Sequence, residues 1–298
     1  MMKKILTTVV LSAIVGSIYA SNEKTEIKDA GEGIYCITNG QLSMTIDAAK
    51  GARIMSFKYK VSDSEKEVIS QSRWPETFGS TFWTSPQKEW NWPPVPEYDK
   101  HAYTVERTES SLIMTSEVSP RLGFRMRKEF TTDKDAFVIT YSIINTTDST
   151  RCVAPWEITR VPNNGYIFFD APLETITPTG LLTFKNEQGA LWYETDEANQ
   201  NRKINADGTG WLAYANEGLL LIKQFPDLSE GEAAPDEAEI QVYVNRGKSY
   251  IELESQGAYT TLKPSEALTY TVRWNLLPCD GIAVPSAELV AKVKAKLQ

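Results

Sequence analysis

From Gly33 to Asn275 one pattern recurs: short runs in which apolar and polar side chains alternate, each closed by turn residues. A two-residue period puts successive side chains on opposite faces of a pleated strand, so such a chain must pair strands into sheets and cover one face of each. About fifteen segments read this way. Segments 34–38 and 41–47 flank Asn39-Gly40, a hairpin signal. Segments 52–59, 103–107, 111–118, 122–130 and 136–144 follow; in 122–130, Phe124, Met126 and Phe130 alternate with Arg125, Arg127 and Glu129. The pattern resumes at 151–160, 166–170, 211–215, 218–225, 238–244, 249–256 and 267–276. Only the C-terminus reads as a helix. Pro285 and Ser286 open it, and Leu289, Val290, Val293 and Leu297 recur at helical spacing. Strands in this number predict an all-β fold, a large two-sheet antiparallel β-sandwich with a short C-terminal helix. No linker or shift of composition divides residues 21–298, which read as a single domain.

The N-terminus carries a different message. Lys3 and Lys4 precede an apolar run, residues 5–18, that is too short to span a bilayer, and Ala20 offers a small residue at a cleavage point. Residues 1–20 therefore read as a signal peptide, and the mature chain as periplasmic or secreted, with no membrane span. The formal charge is −8 and becomes two units more negative once Lys3 and Lys4 leave. An acidic surface repels phosphate backbones, which argues against nucleic acid as a partner. Cys36, Cys152 and Cys279 allow one disulfide at most. His101 is the only histidine, which argues against a zinc site of the usual kind; an oxygen-ligand calcium site stays open in principle, but no Asp-rich calcium loop is visible, and no metal or other cofactor is expected. The default for such a chain is an acidic monomer.

Two segments fit no regular structure. Residues 73–103 hold Trp74, Trp83, Trp90, Trp92 and five prolines, while 228–236 is acidic and small. Indole rings stack on the apolar faces of pyranoses, and Gln87, Lys88, Glu89 and Asn91 offer partners for hydroxyls, so the aromatic loop points to carbohydrate. The alternative is a loop stiffened by proline whose tryptophans plug a sheet edge.

Several short motifs resemble the galactose-mutarotase-like (aldose 1-epimerase-like) superfamily. They are Gly51-Ala52-Arg53-Ile54; Arg127-Lys128-Glu129-Phe130 with 136–144 and Asn145-Thr146-Thr147-Asp148; and 250–256, followed by Leu262-Lys263-Pro264-Ser265-Glu266 and a strand ending at Trp274. The resemblance implies a mutarotase-like supersandwich and a carbohydrate ligand. In that superfamily a Glu-x-Gln strand supplies the catalytic base, which here is Glu254, with Gln256 beside it. The family also uses two histidines near the sugar. Where its Asn-His motif falls, this chain has Ala154-Pro155-Trp156-Glu157. Either Glu157 replaces the histidine acid or the chemistry has been lost.

Mutarotation needs a base for the anomeric hydroxyl and an acid for the ring oxygen, and two carboxyls suffice if their environments separate their pKa values. Glu254 as base and Glu157 as acid are the catalytic candidates. Trp83, Gln87, Trp90, Trp92, His101, Trp156 and Gln256 are the candidates for sugar contact. Arg125, Arg160 and Lys223 are candidates for gripping an acidic group on it. Arg160 follows Glu157 by three residues, so a regular strand points them to opposite faces. Three readings stay open: an epimerase-like isomerase, a sugar- or oligosaccharide-binding or accessory domain without chemistry, and behind both a two-carboxylate glycosidase.

Overall fold

The structure, a computed structural model, describes residues 25–73, 77–279 and 284–298. The expected leader, Trp74 and Pro75 lie outside the described residues. The chain opens with β1 (Glu26–Gly31), β2 (Ile34–Asn39), β3 (Leu42–Asp47), β4 (Arg53–Val61), β5 (Ser64–Glu67) and β6 (Ser80–Ser85). A one-turn helix α1 (Pro96–Asp99) leads to β7 (Thr104–Arg107), β8 (Leu112–Val118), β9 (Phe124–Asp133) and β10 (Ala136–Asn145). Next come β11 (Arg151–Val161), β12 (Tyr166–Phe169), β13 (Phe184–Glu187), β14 (Ala190–Glu194) and β15 (Arg202–Ala206). The last strands are β16 (Trp211–Asn216), β17 (Leu219–Gln224), β18 (Ile240–Val244), β19 (Ile251–Gln256), β20 (Thr260–Leu262) and β21 (Ala267–Pro278), before helix α2 (Ala287–Lys296).

These strands form two antiparallel sheets. The first runs β1-β2-β3-β4-β6-β11-β19-β18-β15, with β5 on β4 and β20 on β11; the second runs β13-β14-β12-β16-β17-β21-β10-β9-β8-β7. The expected two-sheet sandwich with a C-terminal helix is the observed fold. Helix α2 starts where the sequence placed it, with the Ser286 hydroxyl accepting from the Leu289 amide.

Alternation decides which side chains meet between the sheets. Phe82 of β6 stacks on Tyr141 of β10 with ring centroids 4.2 Å apart, and Phe57 of β4 meets Phe137 and Trp274 edge-on. Glu157 of β11 points into the same layer, where Tyr141 and Trp274 donate to its Oε1 and Lys223 of β17 pairs with its Oε2. Residues one position away on these strands face outward from the sandwich, and there the cavity lies.

Two parts of the sequence reading are corrected. Residues 73–103 are not all loop, because β6 lies at the centre of the first sheet, between β4 and β11. All six of its residues are buried. A strand covered on both faces shows no apolar–polar alternation, and the flanking prolines disguised it further. Strands β13 and β15 also escaped detection, because Lys185-Asn186-Glu187 and Lys203-Ile204-Asn205 are too polar and too short to stand out as periodic runs, and β14 did so because four of its five residues are buried and show no alternation. No disulfide joins Cys36, Cys152 and Cys279.

Candidate active site

A cavity of about 650 Å³ opens on the outer face of the first sheet. Its floor comes from consecutive cross-strand rungs. In one, Arg160, Glu252, Tyr243 and Lys203 stand in direct register on β11, β19, β18 and β15. Two residues along, Glu254 lies opposite Ile158 and Gln241; two further, Trp83, Trp156 and Gln256 are aligned on β6, β11 and β19. A period of two and fixed register thus gather residues from five strands on one surface.

Opposite charges pair across this floor. Arg160 Nη2 is 2.8 Å from Glu252 Oε1, and its guanidinium lies over the rings of Trp83 and Tyr250. Glu254 Oε2 accepts from Trp156 Nε1 at 2.8 Å and from Lys203 Nζ at 3.0 Å. Glu254 Oε1 is buried and has no hydrogen-bond partner. A buried carboxylate oxygen left unmatched costs about 1–3 kcal/mol. Burial, reinforced by the charge of Glu254, pushes Glu252 up to about 7, against the opposing pull of Arg160.

A third carboxylate closes one wall. Asp99, the last residue of α1, accepts from Trp83 Nε1 at 3.0 Å and pairs with Arg53 Nη2 at 2.9 Å. Its position depends on Gly51, which precedes β4 at φ +66° and donates its amide to His101 O. A side chain at Gly51 would put a Cβ 2.5 Å from Tyr98 O and 2.8 Å from Asp99 O. Lys128, buried beneath, donates to Gly51 O and Ala52 O. Burial and the nearby Arg53 lower this ammonium to about 7. The Gly51-Ala52-Arg53-Ile54 motif thus sets Arg53 and Asp99 in the cavity wall, which gives the resemblance seen in the sequence a physical basis.

Of the candidates drawn from sequence, Glu254, Trp83, Gln87, Trp92, Trp156 and Arg160 line the cavity. The others do not. Glu157 and Lys223 are corrected to the layer between the sheets, where both are fully buried, because their strands turn those positions inward. Trp90 is 1% exposed and backs Trp83 and Trp156, its Nε1 donating to Thr84 O. Gln256 shares the face of Glu254 but is covered, donating to Glu237 and Gln241. Arg125 is exposed on the second sheet. His101 is on the surface, where its Nδ1 meets Glu117 and Glu97 is the third member of the cluster. The acid expected at Glu157 is therefore missing from the cavity, and the carboxyls that accompany Glu254 there are Glu252, two residues away on the same strand, and Asp99. Sequence reasoning missed Glu252, Arg53, Asp99, Lys203 and Tyr243. For Glu252 the signal was present, since it stands two positions before Glu254 in an alternating strand.

The large two-sheet antiparallel sandwich is a fold shared with solved galactose-mutarotase-like structures. A galactose mutarotase-like protein from Lactobacillus casei matches with TM-score 0.59 at 13% identity, over 82% of this chain and 100% of that one. A galactose mutarotase related enzyme from Lactobacillus acidophilus matches with TM-score 0.55 at 11% identity, over 84% and 100%. The GalM/aldose epimerase homologue from C. elegans matches with TM-score 0.53 at 8% identity, over 86% and 100%. No curated protein matches the sequence. Residues 38–277 match the DUF4380 model, described as a domain of unknown function, and the chain belongs to that family.

Proposed function

We propose that this is an exported carbohydrate-binding protein whose cavity interconverts the anomers of a sugar, with Glu254 as base and Glu252 as acid. The observation that carries this reading is the unpartnered, buried Glu254 Oε1 in a cavity walled by tryptophans. The Trp156 indole and the Lys203 ammonium fix the other oxygen and so aim the free one. Glu254 Oε1 takes the proton of the anomeric hydroxyl while the Glu252 carboxyl gives its proton to the ring oxygen. The bond from anomeric carbon to ring oxygen breaks and an open-chain aldehyde forms. Rotation about the next carbon–carbon bond presents the other carbonyl face, and the two proton transfers reverse as the ring closes. Burial raises the Glu252 carboxyl to about 7, closer to neutral pH than an ordinary glutamate, which suits an acid. The two glutamates stand two residues apart on one strand face, about 7 Å between Cα atoms, close enough to reach both oxygens of one anomeric centre.

Exchange NMR on the purified protein with a panel of reducing sugars, uronic acids included, tests the reading. Faster anomer exchange that Glu254→Gln abolishes is the expected result. Line broadening without faster exchange would leave a binding protein that performs no chemistry, and no response to any sugar would overturn the reading altogether.

A further inference from the structure

Three of the tryptophans around the cavity are covered: Trp83 is 5% exposed, Trp90 1% and Trp156 2%. Trp92 is 60% exposed and lines the same cavity at its mouth, beside Pro93 and Pro94. Leaving an indole in water forgoes one of the largest burial gains a side chain offers, so its exposure calls for a reason. Mobility is not that reason, because the segment that carries Trp92 is tied at several points. The Gln87 amide donates to Glu237 Oε1, and the Asn91 amide donates to Gln87 O. Trp90 Nε1 donates to Thr84 O, and Arg121 Nη2 donates to Glu89 O. Trp92 itself meets Trp83 edge-on, ring centroids 6.4 Å apart. The ring is thus presented to solvent on a fixed support, as a preorganised stacking surface is.

The size of the cavity points the same way. At about 650 Å³ it sits well inside the range of about 300–1,000 Å³ that holds drug-sized ligands, a class larger than one pyranose. Its mouth adds neutral and cationic hydrogen-bonding groups, Asn201 and Arg246, at the turns that flank β15 and β19.

We infer that the cavity continues into an outer subsite, in which Trp92 stacks on the second sugar of a bound oligosaccharide whose terminal unit sits at Glu254. This rests on the sugar reading above and adds the ligand's length to it. The ligand is then a glycan fragment of at least two units, and a monosaccharide fills only the inner part of the site.

Titration calorimetry with ladders of one to four units, built from glucose, galactose, mannose and galacturonic acid, tests it. Affinity is expected to rise about tenfold from the monosaccharide to the di- or trisaccharide of at least one ladder. In Trp92→Ala that ratio falls to near one, and Trp92→Phe, which keeps a smaller ring, recovers part of it. A ladder that binds with affinity independent of length overturns the outer subsite and leaves the sugar reading intact. So does a length-dependent gain that Trp92→Ala does not touch. Failure of every ladder at every length overturns both.

Discussion

Glu157 and Glu254 lie on neighbouring strands, at positions that differ by one in register, yet Glu157 faces the layer between the sheets and Glu254 the cavity. Glu157→Gln separates them. The carboxylate of Glu157 is fully buried and faces Lys223, also fully buried, with Tyr141 and Trp274 donating to it. Removing one charge from a buried pair strands the other and costs about 3–5 kcal/mol. Two features hold this case to the low end: Gln still accepts from Tyr141 and Trp274, and Lys223, whose pKa burial has already lowered, can shed its proton. About 3 kcal/mol, at roughly 2–4 °C per kcal/mol for a chain somewhat smaller than this one, is a fall in melting temperature of about 6–12 °C. In the variant the unfolded chain binds a proton at Lys223 that the folded chain does not, so stability rises with pH and the deficit narrows from pH 7 to 10. Replacing both partners, Glu157→Met with Lys223→Met, removes the stranded charge but leaves the Tyr141 hydroxyl and the Trp274 indole without an acceptor, so it recovers only part of the loss. Scanning calorimetry at pH 7 and 9.5 gives the melting temperatures, and titration of the same samples gives sugar affinity, which is expected to match the wild type below the transition. A Glu157→Gln protein that melts within 2 °C of the wild type and has lost sugar affinity or anomer exchange would refute the assignment and return Glu157 to the site.

Gly51→Ala is expected to destabilise by about 2 kcal/mol or more, since the residue sits at positive φ and its Cβ meets Tyr98 and Asp99 backbone atoms; sugar affinity should fall with it, as Asp99 is displaced from Arg53. Glu252 is raised to about 7 from an ordinary value of 4.5, so the folded state holds the extra proton between those limits and this residue's contribution to stability falls as pH rises from 4.5 to 7. Melting curves across that window should show a flatter decline for Glu252→Gln than for the wild type, and equal slopes would contradict the placement of Glu252. Ser286→Ala removes the cap of α2 and should cost about 1 kcal/mol, with anomer exchange unaffected; urea denaturation reads the first and NMR the second.

The fold was legible because alternation survives in any strand with one wet face. Where both faces are covered, as in β6, the pattern vanishes, and an all-buried Ser-Thr-Phe-Trp-Thr-Ser reads as loop. The site was legible in its single-strand part. Glu254 came from the 250–256 motif, and Trp83, Trp92, Trp156 and Arg160 came from residue chemistry. Parity on β11 already held the correction to Glu157, because Trp156 and Arg160 are both an odd number of residues from it and turn the opposite way. Asp99, Arg53 and Lys203 were out of reach for another reason: they enter the cavity from a one-turn helix, a strand start and an edge strand, and only the sheet order brings those pieces together.

Core and cavity share the same strands in β11 and β19, one taking the odd positions and the other the even. These strands are read in a frame of two, and the frame is fragile. Inserting or deleting one residue near the start of β19 would send Glu252 and Glu254 into the apolar layer and bring Leu253 and Ser255 out to the cavity. Such a lesion strikes folding and ligand recognition together, whereas a substitution strikes one or the other according to its position. Libraries meant to alter what the cavity binds should therefore be drawn on alternate codons of these strands, and single-residue length changes confined to the turns between them.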